Sequence, residues 1–227
     1  MNVLHICANP RPVQESVSKQ LATAFFMRLA ERNPDINVTN VDLYQSPPPF
    51  LSLPAFRGIW QPAIEAGYKP TTGEYNASSY SRTHAEQVKQ ADVVVLTMPM
   101  WNFSMPAIMK AWLDQVIAPN ATFEFEEGGT IKPLHHLQKV VLLIASADAF
   151  KEDDARDGLT RELRATFEFV GVTDIAVVWA DAQHGHGEDE AKEHKDIATE
   201  TAQDLAEEVA EMVSLVPVEP EAEPETV

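Results

Sequence analysis

The segment from Val93 to Ile117 joins an apolar run, a turn between two prolines and a helical pattern without a break. The apolar run has no polar alternation, which predicts a strand that is covered on both faces of a parallel sheet. Pro106 can open a helix, because the first turn of a helix does not use the N–H that proline lacks. Strand–turn–helix units of this kind place the turn at the carboxyl edge of the sheet, where α/β proteins bind ligands.

Five strands and the helical patterns between them predict the rest of the fold. The strands are Val3–Cys7, the more alternating edge strand Val38–Leu43, Val93–Met98, Val140–Ala145 and Asp174–Val178. The helical patterns cover Ser16–Glu31, Thr83–Gln90, Asp154–Phe169 and Asp189–Val213. Strands that alternate with helices form right-handed crossovers, so we expect an α/β three-layer sandwich with helices on both faces of a five-stranded parallel sheet. Ligand turns after the first, third and fourth strands fit the flavodoxin-like order 2-1-3-4-5.

Length and charge limit the domain number and the partners. The 227 residues fit one large α/β domain, which we expect at residues 1–215. The net charge of −18 argues against binding to nucleic acid or to an anionic membrane. Residues 186–227 contain 14 Asp and Glu against 2 Lys and Arg, a net of −12 that leaves −6 for the first 185 residues. A solvated helix face and a disordered Pro/Glu-rich tail at 216–227 explain this excess, and adaptation to high salt is the alternative.

Cysteine usage and hydropathy limit the compartment. The single cysteine, Cys7, excludes an internal disulfide and a cysteine-based metal cluster. No apolar run is long enough to span a membrane, and the N-terminus lacks the basic and apolar regions of a signal peptide. We therefore expect a cytoplasmic protein. The pair His184 and His186 is too weak a pattern to predict a metal site.

The segment 46–80 is long and rich in proline and aromatic residues. A loop of this length is either disordered or functional, and its aromatic content argues against disorder. We interpret it as a partly helical insertion that covers the active site or a partner subunit.

The first and third turns at the predicted sheet edge carry polar side chains. The first turn, residues 8–18, leads into a helix, so its N–H groups and the hydroxyls of Ser16 and Ser18 would suit a phosphate. Arg11 could add charge there, and ordinary N-capping is the alternative reading of this turn. In the third turn, Ser146 could donate a hydrogen bond to a ring edge, and capping of the next helix by Ser146 or Asp148 is the alternative.

The second turn places an amide between two aromatic residues, in the order Trp101, Asn102, Phe103. Such a turn can stack on a flat ring and hydrogen-bond its edge, and a buried amide needs partners of this kind. Packing in the core or in an interface is the alternative for the Met and aromatic residues around it.

These turns together resemble the family of FMN-dependent NADH-azoreductases and NAD(P)H:quinone oxidoreductases, which has a flavodoxin-like fold. Residues 99–106 resemble the family's PMYNF turn, with Trp101 in place of the usual Tyr. Further motifs that match the family follow at residues 108–114, 122–129 and 167–172. The resemblance covers roughly residues 1–213.

The resemblance implies FMN as cofactor, NADH or NADPH as co-substrate, a homodimer with the flavin at its interface, and no metal. The residues at the family's FMN-binding positions are Asn9, Ser16, Val17, Ser18, Pro99, Met100, Trp101, Asn102, Phe103 and Ser146. The residues at its substrate-side positions are Phe125 and Phe169. Hydride would pass to flavin N5 and electrons then to a quinone or azo compound, in a ping-pong cycle that requires no catalytic side chain.

The third turn departs from the family pattern. The family has Ser-Arg-Gly-Gly where this chain has Ser146-Ala147-Asp148-Ala149. By the resemblance, the glycines that let the backbone approach the flavin are absent, and we expect a carboxylate near the flavin's pyrimidine edge. Two other functions therefore stay open. One is a flavodoxin-type electron carrier, and the other is an interaction protein that kept the fold and lost its cofactor.

Overall fold

A parallel sheet organises the protein, a computed structural model in which residues 1–151 and 153–213 are described. The strands are β1 (Asn2–Cys7), β2 (Asn37–Asp42), β3 (Val93–Pro99), β4 (Phe123–Phe125), β5 (Ile131–Pro133), β6 (Lys139–Ala145) and β7 (Ile175–Ala180). Five of them form one sheet in the order β2-β1-β3-β6-β7, and all four pairings are parallel. The predicted α/β fold and its order 2-1-3-4-5 are confirmed, with β2 at one edge.

Eight α-helices are assigned in the described part of the chain. They are α1 (Val17–Arg32), α2 (Leu53–Ile59), α3 (Gln61–Ile64), α4 (Thr72–Ala77), α5 (Ser79–Gln90), α6 (Ala107–Val116), α7 (Leu159–Phe169) and α8 (Glu188–Glu211). Helices α1 and α8 pack together over one face of the sheet, and α5, α6 and α7 contribute to the core on the other face.

The centre of the sheet is buried on both faces, as the unbroken apolar runs predict. Val93 and Val95 join the core under α1 and α8, whereas Val94 and Leu96 join the core on the opposite face. Successive side chains of a strand point to opposite faces, so a strand with this burial must be apolar throughout. Each fully buried Val or Leu side chain contributes about 1.5–3 kcal/mol to folding. This strand therefore holds the turn that follows it on a rigid base.

Some predicted boundaries were wrong for local reasons. The helix predicted from Asp154 begins at Leu159, because the Asp157 carboxylate accepts the N–H groups of Leu159 and Thr160 and caps the helix there. The strand predicted at Asp174–Val178 lies at Ile175–Ala180. The antiparallel hairpin of β4 and β5 was not predicted; each strand has only three residues, and two glycines with positive φ lie between them.

The segment 46–80 contains α2, α3, α4 and the start of α5. It packs beside α6, where Gln115 Nε2 donates to the Pro49 carbonyl at 2.8 Å, and the Trp60 ring meets the Phe123 ring edge-on at 6.4 Å. The predicted tail at 216–227 lies outside the described residues. Among the residues that are described, no helix is both long enough and apolar enough to cross a membrane.

Candidate functional site

A cleft of about 480 Å³ lies at the carboxyl edge of the sheet, where the turns after β1, β3 and β6 meet. Eight of the ten residues predicted to bind the cofactor line it, namely Asn9, Ser16, Val17, Ser18, Pro99, Met100, Trp101 and Ser146. Asn102 and Phe103 lie at the tip of the second turn, beside this wall and not on it. The strand order thus brings together residues that are up to 137 positions apart in the chain.

A second, mostly apolar groove of about 490 Å³ lies between α1 and β2. Its polar groups come from His5, Cys7, Thr23, Asn33, Asn40 and the ion pair of Lys19 and Asp42. Burial lowers the pKa of His5 to about 4 and raises the pKa of the Cys7 thiol, so both are neutral near pH 7. The cleft at the carboxyl edge of the sheet is the better candidate for a ligand site than this groove, because three turns and a helix N-terminus converge there.

The first turn forms a buried polar cluster at the start of α1. Asn9 Nδ2 donates to Ser16 Oγ at 2.7 Å and to Ser18 Oγ at 3.2 Å, and all three residues are buried. Ser16 Oγ also accepts the N–H of Lys19 at 3.2 Å, so it is the N-cap of the helix. Capping uses the Ser16 oxygen, and Ser16 Oγ and Ser18 Oγ lie 3.3 Å apart, so one hydroxyl donates to the other and one hydroxyl hydrogen is left for a ligand. Capping and phosphate binding are therefore compatible.

Two further features of the first turn suit an anion. The N–H groups of Val17 and Ser18 are in the first turn of α1, where no intrahelical acceptor exists, and they lie at the positive end of the helix dipole. Arg11 also lines the cleft, with its Nε 3.8 Å from the Glu15 carboxylate. This end of the cleft therefore offers backbone, hydroxyl and guanidinium donors to one group.

The second turn has a strained backbone. Trp101 and Ser104 exchange backbone hydrogen bonds of 2.9 and 3.1 Å, and the two residues between them have positive φ, 49° at Asn102 and 66° at Phe103. This is the pattern of a type I′ turn, which is costly for a residue as bulky as phenylalanine. Strain of this kind concentrates at functional sites, because only an over-determined structure can hold it.

The aromatic residues of the second turn are not in the core. Trp101 is 42% and Phe103 52% exposed, and within the described chain the N–H groups of Asn102 and Phe103 donate to no acceptor. Core packing is thus excluded for these two rings, whereas packing in an interface stays open. Exposed rings and free N–H groups beside a cleft suit a flat ligand with acceptors on its edge.

Gly158 fixes the second turn from the start of α7, a contact that the sequence interpretation missed. Its N–H donates to the Phe103 carbonyl at 2.9 Å, and a Cβ at this position would lie 2.8 Å from the same oxygen. The predicted helix from Asp154 passed through this position and hid its role. The Asp157-Gly158 dipeptide, a common turn signal, was the available clue.

The third turn uses its own polar side chains internally. Ser146 Oγ donates to the Asp148 carbonyl at 3.0 Å and accepts from Trp179 Nε1 at 2.8 Å. Neither Ser146 nor Asp148 caps α7, so that alternative was wrong; Asp157 does so. The donors that the turn leaves are the N–H groups of Ala147 and Asp148, which have no acceptor among the described residues.

The Asp148 carboxylate is held away from the cleft. Its Oδ2 accepts from the Arg156 guanidinium, and its Oδ1 lies 3.1 Å from His186 Nε2 and accepts the N–H of Ala149 at 3.0 Å. Arg156, and then His186, lower the pKa of Asp148 below its ordinary value. The departure from the family's glycines therefore adds an ionised carboxylate that is paired with Arg156 and lies outside the cleft wall.

Two residues of the loop after β7 complete the cleft and were not predicted as binding residues. The N–H of Gln183 donates to the Ser146 carbonyl at 3.1 Å, and that of His184 donates to the Ala147 carbonyl at 3.0 Å. His184 and His186 do not act together, because His186 faces Asp148 and Glu190. The described residues contain no group of three or more side chains suited to a metal.

The two predicted substrate-side residues, Phe125 and Phe169, lie apart from the cleft. Both pack edge-on against the buried Phe123 ring, with centroid distances of 5.4 and 5.2 Å, and each is about half exposed. The structure thus joins them into one exposed aromatic patch but does not bring them to the cleft wall of the same chain.

Known proteins share this fold and most of this length. The family described as a flavodoxin-like fold matches residues 1–205. FMN-dependent NADH:quinone oxidoreductase 2 of Hahella chejuensis is 30% identical over 190 residues, 81% of this chain and 90% of that protein. FMN-dependent NADH:quinone oxidoreductase of Hydrogenovibrio crunogenus is 32% identical over 184 residues, 80% and 87% of the two chains. The crystal structure of azoreductase from Bacillus anthracis superposes with a TM-score of 0.81 at 25% identity, covering 91% and 99%.

Proposed function

Because this chain belongs to the flavodoxin-like family of FMN-dependent NADH:quinone oxidoreductases, we propose that it reduces quinones or azo compounds with NADH or NADPH through bound FMN. The observation that carries the proposal is the meeting of two features in one cleft. A helix N-terminus whose donors suit an anion lies at one end, and a strained aromatic turn with free N–H groups lies beside the other.

The residues of the cleft fit FMN. Ser16, Ser18 and the first N–H groups of α1 would hold the phosphate, and Asn9 would orient both hydroxyls. The ring would lie over Pro99–Trp101, with the N–H groups near Asn102 and Phe103 directed at N5 and the Asn102 amide at the ring edge. Bound FMN would supply hydride acceptance at N5 from the nicotinamide and electron delivery to the acceptor that replaces it, a ping-pong cycle. The protein's part is to bind, orient and shield the ring.

A homodimer with the flavin at its interface is part of the proposal. The exposed patch of Phe125 and Phe169 is not on the cleft of its own chain, so a second copy could present it to the exposed ring face. We propose that Phe169→Glu converts the dimer to a monomer at micromolar concentration, measured by sedimentation velocity. A variant that stays dimeric would show that this patch is not part of the interface.

The FMN-binding domain, residues 1–215, is proposed to act in the cytoplasm.

A spectrum and a steady-state assay test the main proposal. The purified protein should be yellow or take up one FMN per chain, and it should oxidise NADH with a quinone as the acceptor. A flavodoxin-type carrier would bind FMN but would need a separate reductase, and an interaction protein would stay colourless. Asn102→Ala should raise the Kd for FMN about tenfold, the effect of losing about 1.4 kcal/mol, and an unchanged Kd would remove the amide from the site.

A further inference from the structure

The ring end of the cleft has few free donors and little positive charge. The Ser146 hydroxyl donates to the Asp148 carbonyl, and Gln183 Nε2 donates to the carbonyls of Asp181 and Ala191 at 2.8 Å each. Of the described residues that line the cleft, only Arg11 and His184 can carry a positive charge, and Arg11 is at the phosphate end. This leaves His184 as the side chain with an unused donor beside the third turn.

A backbone hydrogen bond to the third turn positions His184. Its N–H donates to the Ala147 carbonyl at 3.0 Å, next to the bond of 3.1 Å from the Gln183 N–H to the Ser146 carbonyl, so main-chain hydrogen bonds hold the loop after β7 against the third turn. The side chain is exposed, lines the cleft and has no hydrogen-bond partner among the described residues. The backbone is thus fixed while the imidazole is free to meet a ligand.

The chemistry of the cleft orients the ring. Met100 and Trp101 give an apolar wall, which suits the dimethylbenzene end of an isoalloxazine. The pyrimidine end carries carbonyl acceptors and gains electron density when the ring is reduced, so it needs donors, which the cleft wall offers at Ala147 and His184. A donor at that end binds the reduced ring more strongly than the oxidised ring.

We propose that the His184 imidazole donates a hydrogen bond to the pyrimidine end of the bound flavin and raises its reduction potential. This rests on the proposed function, since it requires FMN in the cleft. In this chain the loop after β7 would supply a donor next to a turn whose own hydroxyl and carboxylate are used internally.

The midpoint potential of the bound flavin tests the proposal apart from activity. His184→Ala should favour the reduced ring about tenfold less, which is a fall of about 30 mV for a two-electron couple. His184→Gln keeps an N–H donor and should recover most of this loss. His136→Gln makes the same replacement at the opposite edge of the sheet, next to Asp92, and should leave the potential unchanged. All three proteins are compared with wild type at one pH by dye-coupled redox titration.

Each result decides a separate question. A wild-type protein that takes up no FMN overturns the proposed function itself. A wild type that binds FMN, together with a His184→Ala variant of unchanged potential, overturns only the role of His184. Equal potentials for the Ala and Gln variants, both below wild type, would also overturn it, because a donor would then not be the cause. The unfolding temperature of each variant separates these results from damage to the fold.

Discussion

Gly158 lies so close to the second turn that adding one methyl group at this position should weaken FMN binding. In Gly158→Ala the new Cβ would lie 2.8 Å from the Phe103 carbonyl oxygen, a separation that side-chain carbons do not adopt. The backbone at Gly158 has φ −87° and ψ −7°, which alanine accepts without strain. The collision must therefore be relieved by moving the Phe103 carbonyl, and with it a turn that already has two positive φ angles.

The expected effects on stability and on binding have different sizes. Displacing the carbonyl weakens one hydrogen bond from the Gly158 N–H, a loss of about 1 kcal/mol. Alanine offsets roughly 0.4–1 kcal/mol of this by restricting the unfolded chain. The net change in unfolding free energy should thus be under about 1 kcal/mol, or a few degrees in Tm. The Kd for FMN should rise about tenfold, because the N–H groups of Asn102 and Phe103 leave their bonding positions.

Fluorescence titration of FMN and a thermal melt of the apoprotein measure the two effects. Gly73→Ala is the matched control, because the nearest atom to its new Cβ is 3.9 Å away and Gly73 lies within α4, where alanine is favoured. The control should keep the wild-type Kd and melt at an equal or higher temperature. If Gly158→Ala binds FMN as tightly as Gly73→Ala does, the second turn does not hold the flavin in the way argued.

Two further predictions concern the N-cap at Ser16 and the protonation of His5. Ser16→Ala should lower stability by about 1 kcal/mol and also raise the Kd for FMN, whereas Ser52→Ala, which removes the N-cap of α2, should lower stability alone; equal Kd values would assign Ser16 to capping only. The pKa of His5 is lowered from 6.5 to about 4, so the unfolded chain takes up this proton first and the free energy of unfolding should fall as pH drops from 6.5 to 4. His5→Gln should show a smaller fall in denaturant titrations over that range, and an equal fall would exclude His5 as a cause.

The sequence predicted the sheet well because burial on both faces leaves a plain signature. Val93–Leu96 in β3 and Val140–Ala145 in β6 must be apolar on successive residues, because both faces of these strands are buried. The sequence also limited the N-cap of α1 to Ser16 or Ser18, of which Ser16 is the cap, because capping depends on a few adjacent residues. Local rules of this kind fix where the strands end, and the strand ends fix where the cleft lies.

Contacts between segments that are distant in the sequence could not be predicted by such local rules. Gly158 meets Phe103 across 55 positions of the chain, and the loop after β7 meets the third turn across more than 30. No periodicity signals either contact. The outcome at Asp148 was equally hidden, because its direction depends on Arg156 and His186 and not on its neighbours in the turn.

The backbone beyond the strand ends explains how a changed third turn can keep the cleft. The N–H of Ala8 donates to the Thr97 carbonyl at 2.8 Å, that of Met100 to the Ala145 carbonyl at 2.8 Å, and that of Ser146 to the Ala180 carbonyl at 3.1 Å. Each turn is thus bonded to the neighbouring strand or its end by main-chain atoms, which every residue type carries except for the N–H that proline lacks. Side chains in the turns can therefore change, as they do from Ala147 onward, without moving the walls of the cleft. What changes is the set of donors that line the cleft, and the proposed role of His184 requires such a change in donors without a change in the main chain.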